Sequence, residues 1–304
     1  MISVVIVNYN AGPLLTTCVE SVLPQVDEVV VVDNHSSDSS LARLNERVPE
    51  DARLRVLRND RNLGFAAACN QGAAAARGDE VLFLNPDCIL EGNTVSLLRD
   101  TLRGQDSESR KTKAAIGMVG GLLLNPDGSE QGGGRRAIPT PWRSFVRAFG
   151  LWRLNRHFPR LFFDFHLHKQ PLPEHPVDVE AISGACMLVS RQAMTEVGPW
   201  DEGYFLHCED LDWCMRFRDK GYRIVFVPAA RILHAHGACG RDRPIFVEWH
   251  KHKGMVRFYH KFFRHQYPGI LMGLVVLAVW MRFAASAGYA SVRRAGRALG
   301  IGRG

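Results

Sequence analysis

The sequence contains no C-x-x-C pair. Its seven cysteines lie scattered at positions 18, 69, 88, 186, 208, 214 and 239. That spacing excludes a zinc framework, and an odd, unpaired count suits a reducing compartment better than a disulfide scaffold. No G-x-G-x-x-G follows the first apolar run, so a nicotinamide-binding Rossmann site is disfavoured. The opening residues, ISVVIVNYN, read as a strand and lack the basic start and cleavage site of a signal peptide. Acidic residues are missing from Trp249 onward, where ten Lys/Arg stand, against 28 basic and 31 acidic residues elsewhere. Such a tail suits phosphate groups on a membrane or a nucleic acid. No recognition motif or aromatic stacking platform accompanies it, so no nucleic-acid partner is expected. A long uninterrupted apolar run is also missing: Gly269–Met281 gives thirteen residues before Arg282. A spanning helix needs roughly 20, and an arginine in its middle is costly. The stretch 269–292 is expected to lie on or dip into an anionic membrane surface, with packing on the body of the protein as the alternative.

What is present is a regular alternation. Ile2–Val7, Glu28–Val32, Leu54–Leu57 and Glu80–Leu84 are short strand-like runs, rich in β-branched residues. Between them Pro13–Leu23, Leu41–Arg47 and Gly64–Ala76 read as helices. A βαβαβαβ order predicts a parallel sheet with right-handed crossovers. Ligands of such sheets sit beyond the carboxyl ends of the strands.

Those ends share a composition. They read Asn8-Tyr9-Asn10-Ala11-Gly12, then Asp33-Asn34-His35-Ser36-Ser37-Asp38, then Asn59-Asp60-Arg61-Asn62-Leu63-Gly64, then Asn85-Pro86-Asp87. Turn and cap chemistry explains any one of them. Four in succession favour a polar crevice, in which Asp33 suits a ribose hydroxyl or a base N–H. A second Asn-Pro-Asp, at 125–127, is followed by Gly-Ser and has an ordinary turn explanation. The place of Asp87 at the end of the fourth strand is therefore what singles it out.

Residues 104–113 read as a polar surface loop, Ala115–Leu124 as a strand and Gly132–Arg136 as a flexible basic loop. Residues 140–170 carry many aromatic and basic side chains, suited to covering the sheet or facing a membrane. Val177–Ile182, Ala185–Ser190 and Ile224–Val227 are further strands, and a helix is predicted from Glu209 to about Lys220. Carboxylates at its start complement the helix dipole. Glu209, Asp210 and Asp212 point in different directions there, so one can face a cleft while another caps. His234 and His236 flank one residue and suit a metal together with Asp87.

Taken in order, VIVNYNAG, VVVDNHSSDSS, RNLGFAAACNQG, LFLNPDCIL, ISGACMLVSRQAMTEVGPWDEGYFLHCEDLDWCMR and ILHAHG resemble the family 2 glycosyltransferases. Within them the chain looks most like the rhamnosyltransferase-type enzymes of cell-surface polysaccharide assembly. The resemblance implies an α/β GT-A fold, a Rossmann-like, mostly parallel sheet flanked by helices, with a C-terminal helical, membrane-associating tail. It implies a catalytic domain over 1–240, with a nucleotide-sugar-binding half at 1–103 and an acceptor half at 114–240. Residues 241–304 form the extension. Asn85-Pro86-Asp87 stands where the family has a D-x-D-type motif, with an amide in place of the first carboxylate. Asp87 then remains as a ligand for Mg²⁺ or Mn²⁺, and His234 matches a histidine near the metal and diphosphate. Val7, Asn8, Asn10 and Asp33 resemble the nucleoside-binding set, while Asn62, Gly64, Phe65 and Asn70 match a stretch near the nucleotide and diphosphate. Glu209-Asp210 matches the E-D motif, whose Asp is the catalytic base, and Gly184, Trp200 and Asp201 fall on the acceptor side.

The expected activity is inverting transfer of a sugar, rhamnose by resemblance, from a nucleoside-diphosphate sugar to a hydroxyl of a glycan or polyprenyl-diphosphate-linked acceptor. The expected location is cytoplasmic, on the inner face of the cell membrane. Two other readings are a catalytically silent GT-A module that binds nucleotide sugar or glycan, and a nucleotidyltransferase. The first has no need of both Asp87 and Asp210, and the second calls for a Gly-rich basic loop where Asn8-Tyr9-Asn10 stands.

Overall fold

The computed structural model describes residues 1–104, 114–235 and 243–298, with side chains described as far as 291. His236, Gly237, nearly all of the loop at 104–113 and the side chains of Arg293, Arg294 and Arg297 lie outside the described residues.

The chain begins with β1 (Ile2–Asn8), α1 (Pro13–Val22), β2 (Glu28–Asp33), α2 (Ser40–Arg47), β3 (Leu54–Arg58), α3 (Phe65–Ala75) and β4 (Glu80–Leu84). Pro13 opens α1, a position whose N–H would be unsatisfied in any case. β1, β2 and β4 are buried along their whole lengths, as strands covered on both faces are. Alternate residues serve two cores: Val4 and Ile6 pack with α1 and α2, while Val5 and Val7 pack with α3. The strands pair in parallel in the order β3-β2-β1-β4. All four Asn/Asp-rich tips therefore emerge at one end of the sheet.

Beyond β4 the sheet becomes mixed. The elements are β5 (Cys88–Leu90), α4 (Thr94–Leu102), β6 (Ile116–Leu124), β7 (Arg135–Arg136), α5 (Pro141–Ala148), β8 (Val177–Asp178), β9 (Ala181–Ile182), β10 (Cys186–Ser190), α6 (Arg191–Val197), α7 (Glu209–Asp219) and β11 (Arg223–His234). β10 inserts antiparallel between β4 and β6, and β11 runs parallel to β6 and antiparallel to β5. Val177–Ile182, expected as one strand, is two. β8 joins the edge of β11, and β9 pairs with β7 in a separate two-stranded sheet. Between them Glu180 accepts hydrogen bonds from Arg143 (2.6 Å) and the Ile138 N–H (2.7 Å), which pulls the chain out of the ladder.

The strand expected to stop at Val227 continues to His234. Pro228 cannot donate to the ladder, and the register with β6 jumps from Val227↔Gly121 to Arg231↔Leu122. The extra residues form a bulge, after which pairing resumes. Gly121 makes this possible: a Cβ there would lie 2.4 Å from the Ala230 carbonyl oxygen. The resumed strand pairs His234 with Cys88.

α8 (Pro244–Phe263) packs into the body of the protein, with Phe258, Tyr259 and Phe263 buried in the same core as Trp213. α9 (Gly269–Ala298) is one continuous helix through Arg282. Met272 and Val279 are buried, whereas Ile270, Leu274, Leu277 and Met281 are exposed. The segment Gly269–Ser291 is long and apolar enough to cross a membrane by length and composition. Trp142 and Phe145 of α5 and Phe149 in the turn after it are exposed as well.

Candidate active site

The first three strand tips form one hydrogen-bonded floor. Asn8 Nδ2 donates to Asp33 Oδ1 (2.7 Å), Ser36 Oγ (3.0 Å) and Ser40 Oγ (2.9 Å). Asn10, at φ +54°, accepts from the Ser37 N–H through its side-chain oxygen (2.8 Å). Asn34, buried between tips two and three, donates to Asn62 Oδ1 (2.9 Å) and accepts from Asn59 Nδ2 (3.2 Å) and the Leu63 N–H (3.0 Å). Gly64 has φ +90°, and a Cβ there would lie 2.8 Å from the Phe205 carbonyl oxygen, so only glycine fits. A cavity of about 420 Å³ lined by Arg58, Asn59, Asp60, Arg61, Leu63 and Gln71 opens beside this network.

At the fourth tip, Asn85 and Pro86 make a turn: the Cys88 N–H donates to the Asn85 carbonyl (3.1 Å). Asp87 then faces His234, with Oδ1 3.2 Å from Nε2 and both side chains 6% exposed. The β5–β11 ladder and an Ala235 N–H to Asp87 C=O bond (3.0 Å) hold the pair together. Asp87, Cys88 and His234 offer donor atoms within 4.8 Å of one another. Burial pushes the Cys88 thiol well above its usual range, so it stays protonated and donates to the Ala185 carbonyl (3.5 Å). Carboxylate oxygen and imidazole nitrogen remain, a donor set that fits a divalent ion such as Mn²⁺.

The second carboxylate group stands at the start of α7. His207 (φ +68°) and Cys208 (φ +71°) both adopt the left-handed region immediately before it, a strained turn that aims Glu209 and Asp210. Asp210 Oδ2 receives the Arg136 guanidinium and the Gly184 N–H (3.2 Å), and its Oδ1 accepts from the Leu211 N–H (2.8 Å). Glu209 turns inward. Burial, reinforced by the Asp210 charge, pushes its carboxyl up to about 8. Its Oε2 has no hydrogen-bond partner among the described residues.

The sign of that shift gives an expected result. The native state binds the Glu209 proton across the range from about 4.5 to about 8, where the unfolded chain has lost it. Stability therefore falls as pH rises through this window, by at most about 1.4 kcal/mol per pH unit. Glu209→Gln removes the slope. Urea midpoints at pH 5.5 and 8 check it, and an unchanged slope in the variant would show that Glu209 is ionised throughout.

The metal-type pair and Asp210 belong to one closed ring of contacts. His234 Nδ1 meets Gln131 Oε1 (2.5 Å), and the Gly134 N–H bonds the Gln131 carbonyl (3.3 Å). The Ser183 N–H bonds the Gly134 carbonyl (3.0 Å), and Gly184 touches Asp210. The ring returns through the Asn85 N–H to the Ala185 carbonyl (2.9 Å) and so to Asp87.

Not every expected residue joins it. Trp200, expected on the acceptor side, is 2% exposed and packs on Phe65, Phe83 and Trp213. Asp201 pairs instead with Arg257 (2.9 Å) and Lys261 (2.6 Å) of α8. Burial raises its carboxyl, yet Lys261, the Gly203 N–H and Arg257 bring it down to about 2. Asn70 uses its amide on the Trp200 backbone, accepting from its N–H (2.9 Å) and donating to its carbonyl (3.0 Å), so it ties α3 to that loop. The stretch read as a flexible basic loop is ordered: Arg135 is buried against Glu130 (2.7 Å), and Arg136 reaches Asp210. Gln131, Arg136 and Asn34 are the participants that the sequence did not single out. Only Asn34, already in a tip, carried a local signal.

The sequence pattern described as Glycosyl transferase family 2 matches residues 3–107, and that of Glycosyl transferase family group 2 matches residues 142–243. An N-acetylglucosaminyl-diphospho-decaprenol L-rhamnosyltransferase of Mycobacterium tuberculosis is 31% identical over 258 residues, 80% of this chain and 78% of that protein. Two solved structures share the fold. GalNAc-T7, solved with UDP, GalNAc and Mn²⁺, superposes with a TM-score of 0.56 at 20% identity, over 77% of this chain and 43% of that one. The mannosyltransferase PcManGT from Pyrobaculum calidifontis, solved with GDP-Man and Mn²⁺, gives 0.54 at 16% identity, over 99% and 81%. With its mixed sheet and the crevice at the strand tips, the chain has the GT-A fold and belongs to glycosyl transferase family 2: it is a glycosyltransferase.

Proposed function

We propose that this enzyme moves a sugar, rhamnose by likeness to its mycobacterial relative, from a nucleoside-diphosphate donor to a hydroxyl of a lipid-diphosphate-linked glycan in cell-surface polysaccharide synthesis. The observation that carries the reading is the ring of contacts joining the Asp87–His234 pair to Asp210. Residues 1–103 supply the nucleotide-sugar half through Asn8, Asn10, Asp33, Asn62 and Gly64. Residues 114–240 supply the acceptor half, and 241–304 the extension, of which α8 braces α7 through the Lys261–Asp212 pair (2.6 Å).

Asp210 takes the proton of the acceptor hydroxyl as that oxygen attacks the anomeric carbon, and a single displacement inverts the configuration. The Gly184 N–H holds the carboxylate, and Arg136 yields its flank to the incoming hydroxyl. Asp87 and His234 would hold a divalent cation, which when bound neutralises charge on the departing diphosphate. The exposed apolar face of α9, with Trp142, Phe145 and Phe149, supports attachment to the cytoplasmic face of a membrane, where such an acceptor lies.

A panel of sugar nucleotides with Mn²⁺ and a polyprenyl-diphosphate-linked acceptor tests the reading, with nucleoside diphosphate release as the measurement. One donor is expected to be consumed in step with the acceptor, and the full chain to float with anionic vesicles. Binding of a donor with no turnover under any condition would overturn the reading in favour of a silent module.

A further inference from the structure

We infer that Gln131 is a positioning residue for the metal centre, which sets the tautomer of His234 and so presents Nε2 toward Asp87. This rests on the metal-binding reading above and adds a residue to it. Gln131 is 6% exposed, and its amide can be seated in only one way. Its Nε2 donates to the Asn125 side-chain oxygen (3.1 Å) and to the His234 carbonyl (3.2 Å), two groups that accept in this arrangement. Both amide hydrogens are thereby used, and Oε1 is turned to His234 Nδ1 at 2.5 Å. An amide oxygen only accepts, so Nδ1 carries a proton. The nitrogen left to bind a cation is then Nε2, which lies 3.2 Å from Asp87 Oδ1.

A histidine ligand commonly has its other nitrogen held by an acceptor of this kind, which fixes both ring orientation and tautomer. Here the acceptor is itself anchored. Asn125 belongs to the second Asn-Pro-Asp, where Asp127 and Ser129 close the turn (Ser129 N–H to Oδ1, 2.9 Å). The Gln131 N–H bonds the Leu123 carbonyl (2.8 Å) at the end of β6, the strand beside β11. The repeated tripeptide therefore has two different uses. One copy supplies the carboxylate, and the other steadies the amide that orients the histidine.

The test is Mn²⁺ alone, titrated into the full chain and followed by the electron paramagnetic resonance signal of the free ion, with thermal unfolding in parallel. Gln131→Met keeps the shape and removes the acceptor. It is expected to weaken Mn²⁺ binding about 10–100-fold, more than its change in unfolding temperature explains. Gln131→Glu keeps an acceptor oxygen toward Nδ1 but sets its other oxygen against the Asn125 and His234 oxygens that Nε2 serves. It is expected to bind Mn²⁺ more weakly than the unaltered protein yet more tightly than Gln131→Met. Should the methionine variant fail to fold, a folded Gln131→Glu that binds Mn²⁺ no better than His234→Ala overturns the inference. Unchanged Mn²⁺ affinity in Gln131→Met overturns the inference, as does equal loss in both variants. Asp87→Ala and His234→Ala separate the two levels. If they leave Mn²⁺ binding intact, the metal centre itself is misassigned; if they abolish it while Gln131→Met does not, only the role of Gln131 falls.

Discussion

Replacing Asp210 by asparagine is expected to lower turnover about 10²–10⁴-fold, the usual contribution of a general base, while donor binding persists. The carboxylate sits where Arg136 and the Gly184 N–H converge on Oδ2. An asparagine of the same shape still offers an oxygen to Gly184, so the backbone is not asked to move. It cannot take a proton from an attacking hydroxyl, and it leaves the Arg136 charge without its anion. The Nε of Arg136 already has no partner among the described residues. A stability loss of about 1–3 kcal/mol is therefore expected alongside the kinetic one. Transfer rate at saturating donor and acceptor, donor affinity and thermal unfolding measured together distinguish the two effects. Near-normal turnover in a folded variant would remove Asp210 from the role of base.

Trp200→Ala is expected to act on stability rather than on acceptor affinity. The indole is 2% exposed and lies 4.3 Å, centroid to centroid, from Trp213 and 5.2 Å from Phe83. Truncating a large buried aromatic typically costs about 3–5 kcal/mol through lost transfer energy and the cavity left behind. Asn70, which holds the Trp200 backbone at both its N–H and its carbonyl, would then tie α3 to a loosened loop. Chemical denaturation should show the loss, with the acceptor KM of the remaining folded enzyme little changed. A stable variant with a raised acceptor KM would return Trp200 to the acceptor side.

The fate of Trp200 shows where reading along the chain stops. Gly198-Pro199-Trp200-Asp201-Glu202 has the composition of a surface turn. Its tryptophan is buried because α3 and β4, remote in sequence, and α7 close around it. Cys208 gives the same lesson beside Asp210. Nothing in its neighbours announces a left-handed residue, and the turn is held by α8, whose Gly254 has no room for a Cβ against the His207 carbonyl oxygen (2.7 Å).

By itself the sequence determined the first half of the sheet. Continuous β-branched runs must be buried on both faces, and helical segments between them force parallel pairing, so the four polar tips had to share one end. It also determined that Asp87 follows the tip of a strand and that Glu209 and Asp210 begin a helix, because apolar periodicity and cap chemistry are local properties. Tertiary structure alone decided what those carboxylates meet. The bulge after Val227 resets the register of β11, and only that register brings His234 beside Cys88 and Asp87. The turn at Asn125–Ser129 returns Gln131 to the same place, and the β7–β9 pairing brings Arg136 to Asp210. Ladder register and loop closure depend on strands far apart in the chain, and no local pattern records them.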